Sequence, residues 1–121
     1  MATPKPTTIT YHQQSRILEI GFDEGSTFNM SAEYLRVHSP SAEVQGHTPD
    51  QAVLQVGKEN VRIEAIEPVG NYAVLLRFSD DHDTGIYGWD TLYDLGSNQE
   101  SYWQDYLERL SAAGHERKLD A

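Results

Sequence analysis

A chain of 121 residues with no cysteine, a net charge of −10 and a hydrophobic fraction of 38% excludes much before any motif is read. Its length suits one domain burying roughly two thirds of its unfolded surface, and the missing thiols rule out disulfides, thiolate metal sites and cysteine nucleophiles. The acidic excess repels nucleic acid and anionic membrane faces, and it favours cations and basic protein surfaces as partners.

Residues 1–8, MATPKPTT, hold little to bury and read as a disordered lead-in. The start lacks the apolar centre of a signal peptide, and no run approaches the ~20 apolar residues of a membrane span, so a cytoplasmic protein is expected. ITYH and RILEIGF are short β-branched and aromatic runs, with Gln13 to Ser15 as the turn between them. DEG turns the chain again, and STFNM predicts a third strand with Phe28 and Met30 on one face.

Ser31 is placed to cap a short helix, SAEYLRV, with Glu33 in its first turn, and Pro40 ends it at or near His38. Ser39 to Asp50 reads as a loop longer than most connections. The clearest β pattern is VRIEAIEP, where Val61, Ile63 and Ala65 alternate with Arg62 and Glu64. EPVGN then turns the chain into NYAVLLRF, a hairpin whose second strand, apolar on both faces, belongs nearer the sheet centre.

SDDHDTG is a polar connection, and IYGW returns to apolar residues. Trp89, Leu92 and Tyr93 fall at helical spacing, with Gly96 placed to close that helix in the left-handed conformation. Ser97 and Glu100 have the capping-box spacing, and Trp103, Tyr106, Leu107 and Leu110 make the apolar stripe of a last helix ended by Gly114. The expected class is α+β: a small antiparallel β-sheet with a short helix after the third strand and two C-terminal helices. A single domain covers 9–114, and 115–121 is a solvated tail.

Two blocks, LRVHSPSAEVQGH and GIYGWDTLYDLG, with VRIEAIEPVGNYAVLLRFSDDHDTGIYGWDTLYDL around the second, resemble the gamma-butyrobetaine hydroxylase-like N-terminal domain family from about Ile9 to Leu110. The resemblance implies a small module that stands alone in bacteria, precedes the catalytic domain of gamma-butyrobetaine hydroxylase and its relatives, or is appended to P-loop iron–sulfur carrier ATPases. In the hydroxylase form it implies a structural zinc on three cysteines and a later histidine. By position those cysteines fall here on Ser39, Ser41 and Val44, and the histidine on His82. Three of the four ligands are therefore replaced, and the hydroxylase's iron and oxoglutarate residues lie in a domain this chain does not contain.

Among the residues themselves, His82 with Asp80, Asp81 and Asp83, helped by His38 or His47, has the composition of a cation site, zinc or iron. Serine hydroxyls are poor substitutes for thiolates, and charged turns commonly serve only to bond backbone amides. Ser39 or Ser41 with a histidine and an aspartate has the composition of a hydrolase, but no G-x-S-x-G elbow is present. Glu33 and Glu43 are acid–base candidates by type alone. No phosphate-binding glycine motif occurs, so a P-loop ATPase partner would supply that chemistry itself.

Arg36, His38, His47, Trp89 and Tyr93 are the residues for a binding patch, because Arg and aromatic side chains dominate interface hot spots. The expected function is a non-catalytic protein-interaction or accessory module with a protein partner, for which the resemblance implies an iron–sulfur carrier ATPase. A metal-binding module on His82 is the alternative, and an independent enzyme comes third. No cofactor is expected.

Overall fold

The computed structural model describes residues 3–46 and 52–118. Strand β1 runs Pro6–His12, β2 Ile17–Phe22 and β3 Thr27–Ser31, followed by helix α1 over Ala32–Val37 and a single turn, α2, over Ala42–Gln45. Strands β4, Ile63–Val69, β5, Ala73–Phe78, and β6, Gly85–Gly88, lead into α3, Trp89–Ser97, and α4, Gln99–Ala112. The class is α+β. The strands divide, however, between two three-stranded antiparallel sheets, β1-β2-β3 and β4-β5-β6. Tyr11 links them without extending a ladder, its hydroxyl accepting the Ile63 N–H at 3.1 Å.

One apolar core joins both sheets: Leu18, Ile20 and Met30 from the first meet Ile63, Leu76, Phe78 and Tyr87 from the second, with Leu35 and Leu92 from the helices. Helix α1 starts as expected, with Ser31 Oγ accepting the Tyr34 N–H at 3.0 Å. Its six residues are all buried, which ties it between the sheets and the C-terminal helices. Tyr34 shows how the polar ends of buried rings are satisfied: its hydroxyl donates to the Leu95 carbonyl at 2.6 Å.

Several boundaries depart from expectation for physical reasons. β1 begins at Pro6, inside the expected lead-in, because Pro6 pairs across to Phe22 at the far end of β2. α2 forms within the expected loop because Ser41 caps it, its Oγ accepting the Glu43 N–H at 3.2 Å. A register shift between Ile63 and Ala65 breaks the alternation in β4, so Val61 and Ile63 are buried while Ala65 and Ile66 share intermediate positions.

Gly96 does not close α3. A Cβ there would stand 2.4 Å from the Phe28 ring, so this glycine serves helix–strand packing. Nor does Ser97 cap α4: the cap residue is Asn98, whose side chain turns back to the Asp94 carbonyl and carboxylate at 3.0 and 2.9 Å. The expected tail is tied down as far as residue 118, with Arg117 bonded to Glu33 and the Lys118 carbonyl accepting from Asn60.

Candidate functional site

Two chain reversals build the polar centre of the molecule. The first follows α1, where Pro40 stops the helix and leaves Ser39 fully buried, with its N–H bonded to the Arg36 carbonyl at 3.3 Å. The second follows β5, where the Phe78 N–H bonds the His82 carbonyl at 2.9 Å and Asp81 takes a left-handed φ of 68°. An aspartate tolerates that conformation better than most residues. The tight turn directs the His82 ring inward, 6.0 Å from Phe78, with the residue only 4% exposed.

There the imidazole has a partner on each nitrogen. Nε2 lies 2.9 Å from Ser39 Oγ, and Nδ1 lies 3.1 Å from Glu43 Oε2. Ser39 Oγ also accepts the Ser41 N–H at 3.2 Å, and Ser41 Oγ meets Thr84 Oγ1 at 2.7 Å. β6 passes close by only because residue 85 is glycine: a Cβ there would stand 2.5 Å from Ser39 Oγ.

Burial lowers the His82 pKa, Arg36 adds to the effect, and Glu43 and Asp80 oppose it without reversing it. The ring is therefore held neutral. The tautomer that satisfies both partners carries its proton on Nδ1, donating to the Glu43 carboxylate, and accepts the Ser39 hydroxyl proton at Nε2.

Ser39, His82 and Glu43 share the composition of a nucleophilic triad but not its layout. In a triad the serine oxygen faces the substrate and the acid is enclosed. Here Ser39 is completely buried, whereas the Glu43 side chain is 64% exposed. The serine oxygen is surrounded by His82, the Ser41 amide and the Gly85 backbone, with no space for a substrate carbonyl.

The donor set does not fit zinc either. Of the four positions the resemblance assigns to the ion, Ser39 and Ser41 offer neutral hydroxyls, Val44 offers none, and both His82 nitrogens are engaged. No group of three or more His, Cys, Asp or Glu side chains among the described residues could hold a metal.

Two of the aspartates named beside His82 as a candidate cation set, Asp80 and Asp83, face basic side chains. Asp80 Oδ2 accepts from Arg36 Nε at 3.0 Å and from Lys58 Nζ at 2.7 Å, and Asp83 pairs with Arg77 at 3.0 Å. Burial raises the Asp80 carboxyl, but Lys58 and Arg36 outweigh it and leave its pKa below the ordinary value. Asp81 supplies the left-handed residue of the turn.

The described residues expected to form a binding patch lie in two pairs, Arg36 and His38 at the end of α1 and Trp89 and Tyr93 on α3, each with partners of its own. Arg36 is a buried strut, its side chain 8% exposed, bonded to Asp80 and, at 3.0 Å, to Gln55 Oε1. His38 lies among the rings of Tyr34, Tyr102 and Tyr106, and its Nδ1 approaches the Tyr34 carbonyl at 2.9 Å. Trp89 donates to the Asn71 carbonyl at 2.8 Å, while Tyr93 sits edge-on against Phe22 and Phe28. His47 lies outside the described residues. Sequence reasoning missed Gln55, Lys58 and Thr84, whose importance comes entirely from partners far along the chain, and no local pattern marks them.

Fold and centre together define a small two-sheet α+β module whose one deeply buried histidine, among the described residues, is held by oxygen partners. The chain belongs to the family described as gamma-butyrobetaine hydroxylase-like, N-terminal, whose profile matches residues 9–93. It is 55% identical to a protein solved in solution by NMR, covering 98% of this chain and 90% of that one with a TM-score of 0.83. A second NMR structure is 45% identical, with coverage of 99% and 94% and the same TM-score of 0.83. A crystal structure of a protein of unknown function from Acidithiobacillus ferrooxidans ATCC 23270, assigned to the DUF971 family, is 37% identical over 76% of this chain and 92% of that one, with a TM-score of 0.64. No curated protein matches the chain.

Proposed function

We propose that this chain is a non-catalytic protein-interaction module, acting in the cytoplasm as an accessory to iron–sulfur or iron-dependent systems. The observation that carries the reading is the outer face of β4-β5-β6. Across it Glu67 pairs with Leu75 and Leu75 with Ile86, and Ile86 is 49% exposed. Beside this strip Arg77 bridges Glu67 and Asp83. An exposed Ile86 beside a half-buried Leu75, rimmed by charge, has the composition of an interface.

The polar centre supports the reading from the other side, because Ser39, Ser41 and His82 are saturated by one another and by Glu43 and Thr84. The net charge of −10 favours a basic partner surface. The link to iron follows the fusion partners that the family resemblance implies, among them the iron–sulfur carrier ATPases.

The test compares protein captured by the wild-type chain with that captured by Ile86→Lys, both checked for folding by circular dichroism and for bound zinc and iron. A partner retained by wild type and lost by Ile86→Lys supports the reading. Identical capture by the two, or stoichiometric metal in the wild type, overturns it.

A further inference from the structure

A concave region of the surface lies away from both the polar centre and the sheet face. It is a cleft of about 590 Å³ whose walls include Arg16, Glu33, Tyr34, Glu59, Trp103 and Arg117. Glu33 projects into it from α1 with its side chain only 7% exposed. A carboxylate so enclosed is costly unless a cation with matching hydrogen bonds meets it.

Here the cation is Arg117. Its Nε donates to Glu33 Oε2 at 2.7 Å and its Nη2 to Oε1 at 2.5 Å, while its guanidinium carbon stands 5.1 Å from the centre of the Trp103 ring. Two parallel N–H donors on one carboxylate and an aromatic face behind them are the features that select a guanidinium over an ammonium.

The two sides of this contact differ in how they are held. Glu33 and Trp103 stand on helices packed into the cores, and Trp103 is braced by Tyr34 and Tyr106 at 6.2 and 5.3 Å. Arg117 belongs to residues 115–118, which form neither helix nor strand, beyond Gly114 with its left-handed φ of 81°. The receptor is preorganised; the segment delivering the guanidinium has no regular structure of its own.

We infer that the Glu33–Trp103 cleft is an arginine-recognition site, filled by the chain's own Arg117 and open to an arginine of a basic partner segment that displaces it. An intramolecular occupant keeps a buried carboxylate paired when no partner is present, and it sets a threshold that only a well-matched basic segment passes. The net charge of −10 draws such a segment in. The inference deepens the interaction reading and rests on it for the existence of a partner; the chemistry of the cleft stands on its own residues.

The probe is N-acetyl-arginine amide, titrated into the full chain while the Trp103 indole N–H is followed by NMR. Excess amide shifts this resonance in wild type. Arg117→Ala binds the amide about tenfold more tightly than wild type, adding Glu33→Gln removes that gain, and N-acetyl-lysine amide binds markedly less well. An unmoved Trp103 resonance in wild type, equal affinity in wild type and Arg117→Ala, or undiminished binding in the double variant overturns the inference. Should Arg117→Ala fail to fold, its recovery by the arginine amide but not the lysine amide supports the site, and the absence of recovery counts against it. Ile86→Lys leaves the titration unchanged, so failure of the cleft and failure of the sheet-face interface are separately visible.

Discussion

His82 Nε2 and Ser39 Oγ meet at 2.9 Å across 43 residues of sequence, in a buried centre where Glu43 takes the other imidazole nitrogen. The contact pins the turn after β5 to the segment after α1, so it acts as a cross-brace between the second sheet and the first helix. Removing the ring strands the Ser39 hydroxyl and opens a cavity. His82→Ala is expected to lose about 2–4 kcal/mol in urea unfolding. A chelator leaves the wild-type midpoint unchanged, because the brace is made of hydrogen bonds. An unaffected His82→Ala, or a midpoint that falls with chelation, would contradict this account.

Burial is the leading cause that lowers the pKa of both His38 and His82 from the ordinary 6.5. The unfolded chain therefore takes up protons at these rings before the folded chain does, and stability falls as pH is lowered through the unfolded value of about 6.5 toward the folded ones. Above about pH 7 the contribution is complete; below, each ring steepens the loss by up to about 1.4 kcal/mol per pH unit. The groups facing His38 include Arg109, which adds to the lowering, and Asp105, which opposes it. Urea midpoints measured from pH 7.5 down to about 5 display the slope, and His38→Gln with His82→Gln flattens it. A flat wild-type profile would show the rings to be ordinary.

Gly85→Ala places a methyl group 2.5 Å from Ser39 Oγ and 3.1 Å from the Tyr87 ring, both within the buried centre. Neither neighbour is a loose surface side chain, so the strain appears as a stability loss of about 1–3 kcal/mol. Thermal unfolding of the variant checks this, and a midpoint within error of wild type would mean that β6 has room to shift.

Arg36 and Asp80 are coupled more strongly than a surface pair, since the arginine side chain is 8% exposed and the aspartate 25%. Arg36→Ala leaves Asp80 with the Lys58 ammonium and the His82 N–H and is expected to cost about 2–4 kcal/mol. Arg36→Met combined with Asp80→Asn costs less than the sum of the single changes, a non-additivity that a double-mutant cycle in urea reads directly. Strict additivity would mean that the two side chains act independently.

Much of the fold is legible in local pattern. The alternation in β5, the turn between β4 and β5, the serine cap of α1 and the apolar stripe of α4 all depend on residues within a few positions of one another. Where legibility failed, a distant partner overrode a local signal. Gly96 looks like a helix terminator but is small because Phe28 packs on it. Arg36 looks like a surface anchor, yet Asp80 and Gln55 hold it inside. Asp80 and Asp83, weighed from sequence as either a charged turn or cation ligands beside His82, have their carboxylates on basic side chains that no local pattern marks.

By itself the sequence determined the α+β class, the run of strands and helices, and the absence of thiolates, because periodicity, capping and composition are properties of neighbouring residues. Only the tertiary structure decided that the strands form two sheets, that Ser39, Glu43 and His82 interlock, and that Arg117 lies on Glu33 and Trp103. Those outcomes depend on which buried polar group finds which partner once the cores close, and the desolvation cost that drives the choice arises only in the folded chain.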